Sequence, residues 1–259
     1  MEITWYGTNS VKIGDGETSL LFDPFLKFNP EAYQPPLDEF AATPYIFLTH
    51  GHVDHAYSIP EIMAYSRESV VYCTATPKRT LLKHGVDEAC LREIAVGDTI
   101  CIGAFEVRVL PGKHIKFDRT IVRKTLLNRR VWQYRCNFGR LFKAVFFTHP
   151  EKEETVVFHL RAHGKELLMF GSLSLKEDIA YPQGVDLLFL PFQGRTDITD
   201  CAVRVINALH PQRVFLTHFD DSFPPVSAQI CTAELEGIMA ARFDSTRLIK
   251  PEQGRCIAF

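Results

Sequence analysis

The run Thr49-His50-Gly51-His52-Val53-Asp54-His55 places three imidazoles and a carboxylate within six consecutive residues. Imidazole and carboxylate are the ligands that suit Zn²⁺, Fe²⁺ or Mn²⁺, and no thiolate lies nearby in the chain. The spacing has a mechanical meaning. Residues two apart in extended chain point the same way, so His50 and His52 can grip one ion. Gly51 permits a tight backbone between them. A chain that turns into a helix beyond His52 swings Asp54 and His55 aside, where they can hold a second ion. The bland alternative is a polar surface loop, but loops rarely concentrate histidine in this way without a metal.

Such a motif must be carried by something rigid. It follows Tyr45 to Thr49, an apolar run that reads as a buried strand, so it sits at a strand's carboxyl end. Strand-like segments are also expected at 3–6, 10–13, 19–22, 70–73, 141–148, 154–161, 166–170, 186–190, 213–217 and 246–249. Two or three more fall within 91–110. Helical patterns are expected at 60–67, 76–84, 200–209 and 227–241, and 24–44 reads as a long proline-rich loop. Sheets covered by helices satisfy this order.

Composition bounds the rest. The chain has 259 residues, 46% hydrophobic and 23% charged, with a net charge of −2. Those values fit a soluble globular protein and give no global bias toward nucleic acid or acidic membranes. Seven scattered cysteines without a CxxC pair argue against a disulfide framework and for a reducing, cytoplasmic setting. No signal peptide or transmembrane segment is apparent. The charge is uneven, however: residues 116–143 hold nine Lys or Arg against one acid, Asp118. The arm at about 115–137 reads as a lid presenting cations to an anionic substrate, with Arg119 and Arg123 as candidate contacts; Arg195, in the turn Pro191 to Arg195, is a further candidate whose bland reading is a surface turn. It also reads as a membrane-surface or nucleic-acid contact, or as a solvated helix or homo-oligomer contact. Nucleic acid is the least expected of these partners.

The pattern H-x-H-x-D-H after a hydrophobic strand resembles the signature of the metallo-β-lactamase superfamily. Ile3-Thr4-Trp5-Tyr6-Gly7 and Leu20-Leu21-Phe22-Asp23-Pro24 resemble that family's opening hairpins. Val109 to His114 and Val214 to His218 resemble the segments that supply its later histidines. The branch it looks closest to contains ascorbate-6-phosphate lactonase-like and phospholipase D-type hydrolases. The resemblance implies an α+β fold over 1–259, a four-layer αββα sandwich of two mixed sheets, with the basic arm as an insertion. It implies one metal site from His50, His52 and His114 and another from Asp54, His55 and His218. Asp23 would orient a ligand from behind. The family's bridging aspartate is replaced: after Leu167 to Gly171 comes Ser172, a neutral hydroxyl and a poor bridge. Whether one or two ions bind is therefore open, and Asp220 and Asp221 are candidates for the gap by proximity in sequence alone.

The expected chemistry is hydrolysis of an ester, lactone or phosphodiester of a small anionic substrate, by hydroxide generated on the metal. Asp54 is the candidate to orient that water and receive its proton. Zinc is the first expectation, with manganese or iron as alternatives. The rival readings are an RNA-processing nuclease, a non-catalytic metal-binding protein and a di-iron protein. The other histidines, at 84, 149, 159, 163 and 210, read as structural.

Overall fold

Alternation of side chains along the strands decides the layering. In β3 (Ser19–Phe22) and β4 (Tyr45–Phe47), Leu20, Phe22 and Phe47 face one way, while Leu21 and Ile46 face the other. The first set packs against a second sheet, and the second set packs under helices. The computed structural model describes residues 1–66, 68–116, 118, 129–147 and 154–259. Among them lie two mixed seven-stranded sheets, packed face to face with helices outside.

The first sheet has the order β14-β1-β2-β3-β4-β5-β6, with β1 at Glu2–Gly7, β2 at Ser10–Gly14, β5 at Val70–Cys73, β6 at Leu91–Glu93 and β14 at Cys256–Ala258. Its first four strands pair antiparallel, and β3 to β6 pair parallel. The second sheet has the order β13-β12-β11-β10-β9-β8-β7. Here β7 is Thr99–Ile102, β8 Phe105–Pro111, β9 Val156–Ala162, β10 Lys165–Phe170, β11 Leu187–Pro191, β12 Arg213–Thr217 and β13 Arg247–Ile249. It repeats the scheme: β7 to β10 are antiparallel and β10 to β13 parallel. Every residue of β11 is buried, as a strand covered on both faces requires.

Aromatic rings join the layers. Phe158 of β9 lies 5.7 Å from Phe22 and 5.4 Å from Phe47, ring centre to ring centre. Burying one such ring stabilises the fold by about 1.5–3 kcal/mol. At the carboxyl end of β4 the sheets also bond directly, the Val156 N–H donating to Thr49 O at 2.9 Å.

Several segments differ from the sequence expectation. The stretch expected as a strand at 141–148 is part of a helix, Phe138–Phe147. A short, nearly continuous apolar run does not by itself separate the two states. The buried Ala144 and Phe147 and half-buried Leu141 share one helical face; Ala144 and Leu141 pack with Phe25 and Phe28, and Phe147 packs on Tyr57. The proline-rich loop contains a helix at Leu37–Ala42, with Phe40 buried. The helix expected from 227 starts at Ala233. The helix expected at 60–67 runs Ile59–Tyr65. Strand β14 was not expected; it completes the first sheet beside β1. Among the described residues the cysteines form no disulfide, and Cys101 is exposed. Most of the basic arm, residues 117 and 119–128, lies outside the described residues.

A glycine sets how closely the sheets approach at the motif. A Cβ on Gly171, just after β10, would lie 2.0 Å from Thr49 Oγ1 and 2.4 Å from Thr49 Cβ. Thr49 is fully buried and cannot retreat. Gly171→Ala is expected to destabilise the protein by about 1–3 kcal/mol, the usual cost of overpacking. An unchanged denaturant midpoint would show that the two sheets do not need this contact.

Candidate metal centre

The site is assembled from loops at the carboxyl ends of strands in both sheets. Beyond β4 the chain stays extended through His52, at φ −66° and ψ 160°, and then enters the short helix Val53–Ala56. That turn sends Asp54 and His55 to a different side from His50 and His52. His114 follows β8, Ser172 follows β10, and His218 follows β12. His218 adopts a left-handed backbone, φ 60°, and its N–H donates to Thr8 O at 2.7 Å. Such a conformation is uncommon without glycine and is fixed here by that bond.

Two triads result. The ligand atoms of His50, His52 and His114 lie within 4.8 Å of one another, and so do those of Asp54, His55 and His218. Donors about 2.0–2.2 Å from a tetrahedral ion sit about 3.4 Å apart. His50 Nε2 and His52 Nδ1 are separated by 3.1 Å. Asp54 Oδ2 lies 3.5 Å from His55 Nε2 and 2.7 Å from His218 Nε2. The nitrogen and oxygen donors present thus suit a divalent cation in each triad. The triads adjoin, since the rings of His50 and His55 are 3.9 Å apart.

The hydrogen bonds behind the rings select their tautomers. Thr49 Oγ1 spends its proton on Asp23 Oδ2, at 2.7 Å, so toward His50 Nδ1, at 3.0 Å, it accepts. His50 therefore carries its proton on Nδ1 and leaves Nε2 for an ion. His55 Nδ1 faces Asp23 Oδ2 at 2.9 Å, and His114 Nδ1 faces the Ile115 carbonyl at 2.7 Å. Both of these acceptors hold the proton on Nδ1 in the same way, and Nε2 again turns inward.

Asp23 ties this together. It is fully buried at the end of β3, in a left-handed conformation with φ 44°. Its carboxylate accepts from the Thr49 N–H (2.8 Å), Thr49 Oγ1 and Asn9 Nδ2 (2.7 Å), and faces His55 Nδ1. A buried carboxylate costs several kcal/mol, which this set of donors offsets. Asn9 extends the network by donating to Phe170 O at 3.1 Å and accepting from Thr217 Oγ1 at 2.8 Å. It thereby links the ends of β3, β10 and β12. The roles of Asn9 and of the Thr49 hydroxyl have no counterpart among the sequence expectations. Nothing in one sequence marks a buried turn asparagine from an exposed one.

The electrostatics favour ligation by the first triad and by Asp54. Burial, and then the neighbouring charge of His55, push His50 well below its ordinary value. Burial and His114 bring His52 down to about 4, against the pull of Asp54. Burial also lowers His114. These three rings are neutral near pH 7, with lone pairs available. Burial would raise Asp54, but the charge of His55 and the hydrogen bond from His218 outweigh it and hold Asp54 well below the carboxylate range. Burial opposes charge on His55, yet Asp23 and Asp54 prevail and push it up.

Other candidates stand elsewhere. Ser172 is buried beside the site, and its hydroxyl accepts the Ile115 N–H at 2.9 Å, so it anchors the segment carrying His114. Arg195 is engaged by Asp197, with bonds of 2.5 and 2.9 Å, and donates to Lys116 O; a fork held this way is not free for a substrate. Arg119 and Arg123 lie outside the described residues. Asp220 and Asp221 do not fill the bridging position. Asp220 accepts from the Thr8 N–H and Gln253 and pairs with Lys27, shaping the loop that carries Asn9. Asp221 binds Arg130 and Ser227.

Comparison with known proteins agrees with this architecture. The model of the beta-lactamase superfamily domain matches residues 18–219, and the chain belongs to that family. A UPF0173 metal-dependent hydrolase of Rhizobium johnstonii is 32% identical over 117 residues, 44% of this chain and 48% of the relative. One from Archaeoglobus fulgidus is 32% identical over 114 residues, 44% and 46% of the two chains. The chain thus spans about half the length of the curated relatives it matches. Among solved structures, the metallo hydrolase Igni18 of Ignicoccus hospitalis superposes with a TM-score of 0.68 at 15% identity, covering 100% of this chain and 98% of that one. This likeness shows the fold: the metallo-β-lactamase sandwich.

Removing the charge behind His55 tests the network. Asp23→Asn should weaken divalent-metal binding about 10–100-fold, as losses behind a ligand typically do. Chelator competition reads the affinity, and circular dichroism checks that the variant is folded. Unaltered affinity in a folded variant would mean that Asp23 plays no part in holding the ligands.

Proposed function

We propose that this protein is a metal-dependent hydrolase holding two divalent cations, zinc first among the candidates. The His50, His52 and His114 triad takes one cation and the Asp54, His55 and His218 triad the other. One observation carries the reading: two sets of three donors, from three separate segments, converge side by side within 4.8 Å in each set. When bound, such a cation polarises a carbonyl or phosphoryl oxygen and lowers the pKa of water toward neutrality. The metal-dependent hydrolases among the curated relatives support the reaction class.

The chain's own groups supply the rest. Asp54 directs Oδ2 toward His55 and His218. Its second oxygen, Oδ1, is the acceptor we assign to orient the attacking water and take its proton. Asp23 and Thr49 keep His55 and His50 aimed inward.

The substrate follows from charge. One carboxylate, Asp54, stands among six ligands, and the bridging position carries the neutral Ser172, whose hydroxyl is already bonded to the backbone. This ligand set would offset only one charge of any dications it held, and an anionic substrate oxygen would complete the balance. A lactone, ester or phosphodiester bearing such a group is the class we assign. The ascorbate-6-phosphate lactonase-like and phospholipase D-type branch is where this reading begins.

Elemental analysis of the purified protein, with a screen of lactones, phosphodiesters and phospholipids, tests the proposal. Near-stoichiometric zinc, manganese or iron is expected, with turnover abolished by chelation. Asp54→Ala should lower kcat about 10²–10⁴-fold. Protein free of divalent metal, or turnover indifferent to chelator, would overturn the assignment. Ser172→Asp should raise the affinity for the second cation, because it returns a negative charge to the gap; weaker or unchanged binding in titration calorimetry would refute that account of the charge balance.

A further inference from the structure

The helix Phe138–Phe147 turns one face inward, toward the residues beside the site, and leaves another uncovered. At 3.6 residues per turn, Phe138, Phe142 and Phe146 fall in a row on the side away from Ala144 and Phe147. Phe142 is 67% exposed and Phe146 71%, and their rings touch at 4.6 Å. Just upstream, Trp132 is 74% exposed. Scattered surface phenylalanines need no explanation, but a continuous exposed aromatic ridge marks a contact surface.

The charge around the ridge is one-sided. Residues 129–147 contain five Lys or Arg and no Asp or Glu. Arg135, Arg140 and Lys143 are exposed among the aromatic residues. Aromatic rings with cations at their margins suit the headgroup region of an anionic bilayer, where rings enter the acyl boundary and cations meet phosphates. We propose that this helix, with Trp132, is a docking surface for anionic phospholipid bilayers.

Other occupants fit less well. A second copy would set five cations against five. A single-stranded nucleic acid stacks bases on open ring faces, but Phe142 and Phe146 are tilted 60° and meet edge to face. The helix also contacts the short helix Val53–Ala56, which carries Asp54 and His55, so a docked membrane would lie beside the metal centre. The proposal does not rest on the hydrolytic reading and can fail or stand without it.

The two tryptophans make the test direct. Trp5 is buried, at 1% exposure, so a change in emission on binding reports Trp132. The full chain is mixed with phosphatidylcholine vesicles with and without phosphatidylglycerol, followed by flotation and fluorescence. Binding to the phosphatidylglycerol vesicles, a blue shift, and quenching by brominated lipid are expected, all weakened by high salt. Phe142→Ser with Phe146→Ser should reduce partitioning about tenfold or more, and Lys143→Glu with Arg135→Glu should do so at low salt. The wild-type quenching stands even should a variant fold poorly. Failure to float with anionic vesicles would overturn the proposal. So would binding without any change at Trp132, binding of a single-stranded RNA oligomer in place of vesicles, or a dimer in size-exclusion chromatography that the phenylalanine substitutions dissolve.

Discussion

A single buried carboxylate organises this molecule. Asp23 sits where β3 ends, without access to solvent, and its charge is tolerable there only because donors from two segments, the turn at Asn9 and the run from Thr49 to His55, converge on it. Those donors are also the groups that fix the site. Thr49 opens the histidine run, His55 is a candidate ligand, and Asn9 reaches the ends of β10 and β12. The requirement to satisfy one charge thus sets the orientation of His55 directly and of His50 through the Thr49 hydroxyl. The low dielectric that makes the unpaired charge costly makes the paired network stiff.

The fold supplies the convergence that this network exploits. Each sheet is antiparallel at one side and parallel at the other, and the parallel strands β3, β4, β10, β11 and β12 carry their carboxyl ends toward one rim. Loops leaving that rim can meet although their residues are far apart in the chain. Gly171 lets the rims of the two sheets close, and the Val156 to Thr49 hydrogen bond seals them. Precision in the site therefore derives from sheet packing and not from the loops themselves.

Charge distinguishes this centre. Five imidazoles and one carboxylate offer six donors but a single negative charge, and the neutral Ser172 hydroxyl accepts from the Ile115 N–H. Asp220 and Asp221, the acids nearest in sequence to His218, are consumed by Lys27 and Arg130. The demand for negative charge is left to whatever enters the site. Near it, a helix with exposed phenylalanines and cations presents a surface of the opposite kind, apolar and basic, on a chain whose net charge is slightly negative.

Residue type and short spacing were sufficient to identify the histidine run, its division into two directions, and most strands. These features depend on side-chain chemistry and backbone period, both local properties. The helix at Phe138–Phe147 escaped because a brief apolar run satisfies either period until its packing partners are known. The turn residue Asn9, the tautomer-setting role of Thr49 and the capture of Arg195 by Asp197 escaped for a related reason. Each is a choice among partners, and a chain does not reveal which of its donors and acceptors will be buried together. Only the closing of two sheets, which removes water from their shared rim, decides that question.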